Sequence, residues 1–207
     1  AWLEHILDSL ASDLESEIER ARADARTVLR IFASHGYAVA TLRDFLLRRH
    51  IPVELQFRGG MDALASMSHS NCDLAGFHIP VGSFQPMILA QYAKLLKPKS
   101  QMLISVSTRR QGIMVAKGNP MGIRSFADLG RSGIRFVNRQ LGSGTRMLLE
   151  LMLERERLDS RSISGFEVVE FTHDAVAAYI ASGMADAELG VEPGARKFNL
   201  DFIPLVN

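Results

Sequence analysis

From residue 26 onward, short β-rich runs alternate with stretches whose apolar residues have helical spacing. Strands are predicted at 27–32, 52–57, 73–79, 102–107, 112–117, 134–138 and 166–171. Helices are predicted between most of them, and the run MILAQYAKLLK is expected to end at Pro98. Strands that alternate with helices indicate parallel sheets covered by helices on both faces. The pattern therefore predicts an α/β fold.

The first 24 residues follow a different pattern. Apolar residues recur there with spacings of 4, 3, 4 and 4, at Leu3, Leu7, Leu10, Leu14 and Ile18. This narrow stripe on a charged helix is close to a heptad seam. It favours a linker or dimerisation helix over residues 1–24, with a helix packed on its own domain as the alternative.

Composition narrows the function classes. Hydrophobic residues make up 47% and charged residues 23%, and the net charge is +1. These values are typical of a soluble globular protein and argue against nucleic-acid binding through a general basic field. The sequence contains no run of 18 apolar residues, so no membrane span is predicted. The first 25 residues are strongly charged and do not resemble a secretion signal. We expect a cytoplasmic protein, and the single cysteine, Cys72, excludes an internal disulfide framework.

The predicted strand-to-helix turns share one chemistry. In open α/β sheets, ligands bind outside the carboxyl ends of the strands, where helix N-termini offer unpaired N–H donors to anions. Four such turns carry small, hydroxyl or histidine residues: Ser34-His35-Gly36, Gly59-Gly60, Gly142-Ser143-Gly144-Thr145 and Thr172-His173.

The turn "GSGTR" at 142–146 is the strongest candidate for an anion site. Its glycines let the backbone approach a ligand, and Ser143 and Thr145 add hydroxyl donors. Arg146 has a planar guanidinium that can donate to two oxygens at once. A positive charge in the first helical turn is unfavourable because of the helix dipole, so this arginine is expected to have a negative partner. Arg139 or Asn138 would contact the anion from the side opposite this turn. Ser143 acting only as a helix cap is the structural alternative.

Catalytic and metal motifs are missing from the sequence. There is no Gly-Lys-Ser/Thr after the glycines, no G-x-S-x-G, no paired histidines at i and i+4, and no Cys-x-x-Cys. No nucleophile, base and orienting group can be placed together. We therefore expect no catalysis, no metal and no cofactor.

Four segments together resemble the periplasmic-binding-protein-like domain of the molybdate-binding family: CDLAGFHI, QGIMVAKGNPMGI, IRFVNRQLGSGTRMLLE and VEFTHDAVAAYIASGMADAELG. The resemblance spans about residues 26–207. Members of that family often follow a helix-turn-helix in bacterial transcriptional regulators.

The resemblance implies a type II binding-protein fold, with two parallel-sheet lobes and an oxyanion in the cleft between them. Lobe I would comprise 26–104 and 190–207, and lobe II would comprise 105–189. The stripe over 1–24 then resembles the linker helix of LysR-type regulators, which pairs two subunits. The implied ligand-binding residues are Ser34, His35, Gly60, Ser143, Gly144, Thr145, Arg146, Thr172 and His173.

Two departures from the family pattern leave the ligand open. A small residue usually stands where this chain has Glu188, and an acidic residue commonly follows the histidine of the first turn. Molybdate, tungstate, sulfate and formate all remain candidates. We expect an effector-binding domain that forms homodimers and reaches DNA through a region absent from this chain. The alternative is the solute-binding protein of an oxyanion ABC transporter.

Overall fold

The computed structural model describes residues 28–206, which form two compact units. The first unit comprises the chain up to Phe77 together with Lys94–Ser107, and the second comprises His78–Ala93 and the chain from Thr108 onward. The predicted helix over 1–24 lies outside the described residues.

The first unit is a small parallel α/β layer structure. Its elements are β1 (Leu29–Ala33), α1 (Tyr37–Arg48), β2 (Val53–Phe57), α2 (Gly60–Ser68) and β3 (Leu74–Gly76). The strand order is β2-β1-β3, and both pairs are parallel. Successive residues of β1 face opposite sides of the sheet, so Ile31 packs with Leu42 and Leu46 of α1, while Phe32 packs with Ala63 of α2. The predicted parallel sheet is confirmed in this unit.

The second unit is larger and contains most of the helices. Its elements are α3 (Gln85–Ala93), β4 (Gln111–Val115), β5 (Asn138–Arg139), α4 (Gly144–Glu156), β6 (Val169–Glu170), α5 (His173–Ala181), β7 (Ala187–Val191), α6 (Glu192–Lys197) and β8 (Asp201–Val206), with 3₁₀ turns at Phe126–Gly130 and Ser160–Ser162.

The second unit contains antiparallel as well as parallel strand pairs. β4 lies between β7 and β8 and is antiparallel to both. β5 pairs with β6 in parallel, and a parallel bridge from Phe136 to Ala187 connects the chain before β5 to β7. The division of the chain also differs from the predicted one. Residues 190–206 were expected in the first lobe, but they join the second unit because β8 hydrogen-bonds along β4.

Two predicted elements differ from the structure. Residues 102–107 form no strand, although their sequence is β-rich, and Met102 and Leu103 are exposed. Helix α3 ends at Ala93, before Pro98.

The two faces of the second sheet pack against different helices. Ile113 and Val115 of β4 join a large apolar cluster with Leu148 and Leu149 of α4. Met114, between them in sequence, faces a second cluster that contains Val176 of α5. Residues on this second face therefore lie beneath α5, which positions part of the candidate site.

Gly112 of β4 lies against the backbone of β8. A Cβ added there would be 2.1 Å from the carbonyl oxygen of Ile203, so the backbones would have to separate. We expect Gly112→Ala to lower the free energy of unfolding by about 3 kcal/mol in urea denaturation. Gly118→Ala is a suitable comparison because nothing lies within 4 Å of its added Cβ, although its φ is +80°. The left-handed backbone alone should cost only about 1 kcal/mol. Equal losses in the two variants would contradict the proposed clash.

Candidate functional site

The three sequence-predicted residues of the first unit come together at one edge of its sheet. Ser34 and His35 follow β1, and Gly60 is the first residue of α2, which follows β2. Because β1 and β2 are parallel neighbours, these turns share the carboxyl edge of the sheet. Ser34 is buried, and the His35 ring lies 4.9 Å from the Phe57 ring.

The GSGTR turn forms the N-terminus of α4, as predicted. Gly142 has φ +79°, a conformation that favours glycine, and it brings the chain from β5 into the helix. Ser143 is the N-cap, and its hydroxyl oxygen accepts a 3.1 Å hydrogen bond from the backbone N–H of Arg146. Thr145 is buried and accepts a 2.9 Å bond from the Gln111 side chain. Both hydroxyls therefore stabilise the local structure of the turn.

A second helix N-terminus lies beside a buried arginine. Thr172 caps α5 by accepting a hydrogen bond from Ala175 N–H, and His173 begins the helix. Nη1 of Arg139 lies 2.8 Å from Nδ1 of His173, and Nη2 donates to the Phe171 carbonyl oxygen. Arg139 and His173 are each 1% exposed. Since a guanidinium can only donate, Nδ1 of His173 accepts in this 2.8 Å contact.

Arg109 connects these two helix N-termini. Its Nη1 lies 3.4 Å from Nε2 of His173, on the opposite side of the ring from Arg139. A Cβ added to Gly144 would lie 3.8 Å from Nη2 of Arg109 and 3.5 Å from Cβ of His78. All these residues belong to the second unit. We refer to His78, Arg109, Arg139, Gly144 and His173 as the cation cluster.

Burial and mutual repulsion disfavour positive charge in the cation cluster. Burial, and then the neighbouring Arg139 guanidinium, lowers the pKa of Arg109 to about 10. Burial, and then Arg109, lowers the pKa of His78 to about 3, so His78 is neutral at physiological pH. Within residues 28–206, Arg109 forms no ion pair with a carboxylate. An anion beside Gly144 would supply the missing negative charge.

Arg146 has other partners in this structure. Its Nε donates a 2.8 Å hydrogen bond to the Glu150 carboxylate, and its guanidinium lies 4.2 Å from the centre of the Phe166 ring. Positions 144 and 146 lie about 200° apart around the helix axis, so these side-chain positions face different directions. Arg146 and Glu150 line an open depression of about 480 Å³ together with Phe166 and residues of the 153–160 segment.

Glu188 lies on the face of β7 that packs beneath α5. Its carboxyl group is fully buried, and neither oxygen has a hydrogen-bond partner among the described residues. Burial raises the pKa of Glu188 to about 8, against the opposing effect of the positive charge on Arg139. The carboxyl group is therefore mostly protonated at neutral pH.

The structure thus separates the predicted site residues into groups. Ser34, His35 and Gly60 share an edge of the first unit, whereas Gly144 and His173 join the cation cluster of the second. Ser143, Thr145 and Thr172 support the helix N-termini around that cluster. From the sequence, Arg109 has no predicted binding role, His78 is not among the implied ligand-binding residues, and Arg139 is only an option. Their positions before β4, after β3 and at the end of β5 are the available sequence signal, because they adjoin strand ends.

Two further properties concern only residues that the structure describes. Their His, Cys, Asp and Glu side chains form no group of three or more that could hold a metal ion. None of their helices combines the length and apolar character needed to cross a membrane.

Comparison with solved structures shows similar folds at low identity. An ancestral amino-acid-binding protein, a precursor of cyclohexadienyl dehydratase, matches with a TM-score of 0.53 and 16% identity over 87% of this chain and 81% of that chain. The arginine-bound form of truncated ArgBP from T. maritima matches with a TM-score of 0.51 and 15% identity, over 88% and 84%. These similarities confirm the binding-protein fold.

Sequence comparison gives the family. The uncharacterised protein YvgK of Bacillus subtilis is 32% identical over 172 residues, which are 78% of this chain and 54% of the relative. The chain thus spans about half the length of this curated relative. Residues 44–207 match the PBP superfamily domain. On this match, the chain belongs to the PBP superfamily, the periplasmic-binding-protein fold family.

Proposed function

We propose that this chain is the ligand-sensing domain of a cytoplasmic bacterial transcriptional regulator, and that it binds a small oxyanion at the cation cluster. Arg109 carries the proposal, because it is partly buried, has no carboxylate partner within the described part of the chain, and lies beside the N-terminus of α4. Such a cation gains most from a ligand that brings its own negative charge.

The surrounding groups suit an oxyanion. The α4 N-terminus offers backbone N–H groups and a partial positive charge close to Arg109. Arg139 adds a second buried guanidinium, held by His173 and the Phe171 carbonyl. Molybdate, tungstate, sulfate and formate are the candidate ligands. The cluster provides charge and donors but no nucleophile paired with a base, so we propose binding without catalysis.

The regulator role extends this proposal beyond the described residues. The apolar stripe over 1–24 would pair two subunits, and a separate region would contact DNA. Sedimentation of the chain with and without residues 1–24 tests this pairing. A concentration-dependent dimer that persists without the segment would contradict it.

A solute-binding protein of a transporter is the second candidate. The similar solved structures include binding proteins for amino acids, among them arginine-bound forms. In that case the cation cluster would receive a carboxylate as part of a larger solute.

Calorimetric titration separates the two candidates. The purified domain is titrated with molybdate, sulfate, formate and arginine in the same buffer. The oxyanion proposal predicts saturable binding of at least one of the three simple anions, with weaker or no binding of arginine. Tight arginine binding without binding of any simple anion would favour the amino-acid alternative.

A further inference from the structure

A buried carboxyl group lies next to the cation cluster without contributing to its hydrogen bonds. Glu188 is 0% exposed, and both of its oxygens lack a partner among the described residues. Leaving such a group unpaired in the interior is costly, and ionising it there costs more. A glutamate at this position is therefore unfavourable for the stability of the fold, which suggests that it serves another purpose.

The backbone of the neighbouring residues shows where this carboxyl group lies. A parallel bridge joins Phe136 to Ala187, so the chain that leads into β5 runs beside β7. A Cβ added to Gly190 would meet Oε2 of Glu188 at 2.4 Å, so the Glu188 side chain lies over Gly190. The absence of a side chain at position 190 makes room for it. Arg139 lies three residues beyond that bridge, and its positive charge acts on this carboxyl group.

Of the described charged side chains on the neighbouring elements, Arg139 is the one whose charge acts on the Glu188 carboxyl group. β4 carries no charged residue, and Arg146 of α4 is bonded to Glu150. On α5, His173 contacts Arg139, and Asp174 is paired with Lys197 of α6. Glu192 of α6 forms ion pairs with Arg196 of the same helix and with Arg110, which precedes β4.

We propose that Glu188 determines the charge of the anion that the site accepts. With a neutral carboxyl group, the two guanidiniums of Arg109 and Arg139 favour a divalent oxyanion. With an ionised carboxylate, one of those positive charges is offset, and a monovalent anion is favoured. Glu188 acts through its charge and does not touch the ligand, so it is a specificity residue and not a ligand-binding one. This inference rests on the proposed anion site.

The physical basis is the Coulomb interaction across the buried cluster. A negative charge on Glu188 repels a divalent ligand about twice as strongly as a monovalent one at the same place. At an effective dielectric constant near 20, one additional ligand charge about 10 Å from an ionised group changes relative affinity by about tenfold or more. The substitution Glu188→Gln supplies the neutral mimic, since an amide has nearly the same shape as a protonated carboxyl group.

The test compares molybdate with formate, which keep charges of two and one over the range from about pH 6 to about pH 9. That range brackets the pKa of Glu188, about 8, and ends below that of Arg109, about 10. Calorimetry gives the ratio of the two association constants at each pH. The use of a ratio removes pH effects that are common to both ligands.

For the unmutated domain, the molybdate-to-formate ratio should fall about tenfold between these limits. Glu188→Gln should hold the ratio at its low-pH value throughout, while the exposed control Glu167→Gln should behave like the unmutated domain. An equal fall in Glu188→Gln would overturn the inference and leave the anion site intact. Absence of binding by either probe at every pH would instead overturn the proposed anion site itself.

Discussion

Replacing Arg109 with alanine should weaken binding of the anion, molybdate or formate, by about 2–4 kcal/mol. The substitution removes a partly buried guanidinium that lies beside Gly144 and has no carboxylate partner within the described part of the chain. A charge-assisted contact of this kind is stronger than a neutral hydrogen bond because both groups are partly removed from water. Calorimetry of the variant, with circular dichroism to check folding, measures the loss.

Two arginine controls make this result specific. Arg124→Ala removes an exposed positive charge and should change affinity by less than about 0.5 kcal/mol. Arg146→Ala separates the sequence-based assignment from the structural one. Because Arg146 contacts Glu150 and Phe166, its loss should reduce stability more than affinity. A larger affinity loss in Arg146→Ala than in Arg109→Ala would show that the anion binds at Arg146, as the sequence predicted.

Replacing Glu188 with glutamine should stabilise the protein by about 3 kcal/mol at neutral pH. Burial raises the pKa of Glu188 from its ordinary value of 4.5 to about 8. A group with a raised pKa contributes fully to stability below its unfolded-state pKa, and that contribution is lost as the pH rises through the folded-state pKa. The unmutated protein should therefore lose stability relative to the variant between about pH 4.5 and about pH 8.

Urea unfolding at several pH values measures this difference directly. The two proteins should have similar stability near pH 4, because glutamine and a protonated carboxyl group are both neutral. Glu167→Gln, at an exposed position, should not reproduce the divergence at higher pH. A pH-independent difference between Glu188→Gln and the unmutated protein would show that the Glu188 carboxyl does not titrate with a raised pKa.

Much of the fold could be predicted from periodicity and turn chemistry. The β-rich run before Ser34 and the glycines at the start of α2 correctly marked strand-to-helix turns. The mixed sheet of the second unit could not be predicted in this way. Whether Gln111–Val115 pairs in parallel or antiparallel depends on where the chain returns, as β7 and β8, and a strand's own residues do not encode that.

The sequence predicted the parts of the candidate site that depend on consecutive residues, but not those that depend on contacts between distant residues. The GSGTR turn and Thr172-His173 have local signatures, since helix caps are determined by a few consecutive residues. Arg109 has no such signature, because its role depends on contacts with His173 and Gly144, which are distant in sequence. The direction of the Arg146 side chain depends on Glu150 and Phe166, so the residue's presence in the turn could not specify its partner.

Anomalous diffraction from a crystal soaked with tungstate tests the proposed anion site most directly, because tungsten marks the position of the bound anion. We expect one strong peak in the second unit, with ligand oxygens within hydrogen-bond distance of the Arg109 guanidinium and the backbone N–H groups at Gly144. A strong peak beside Arg146 and Phe166, with none near Arg109, would contradict the proposed site.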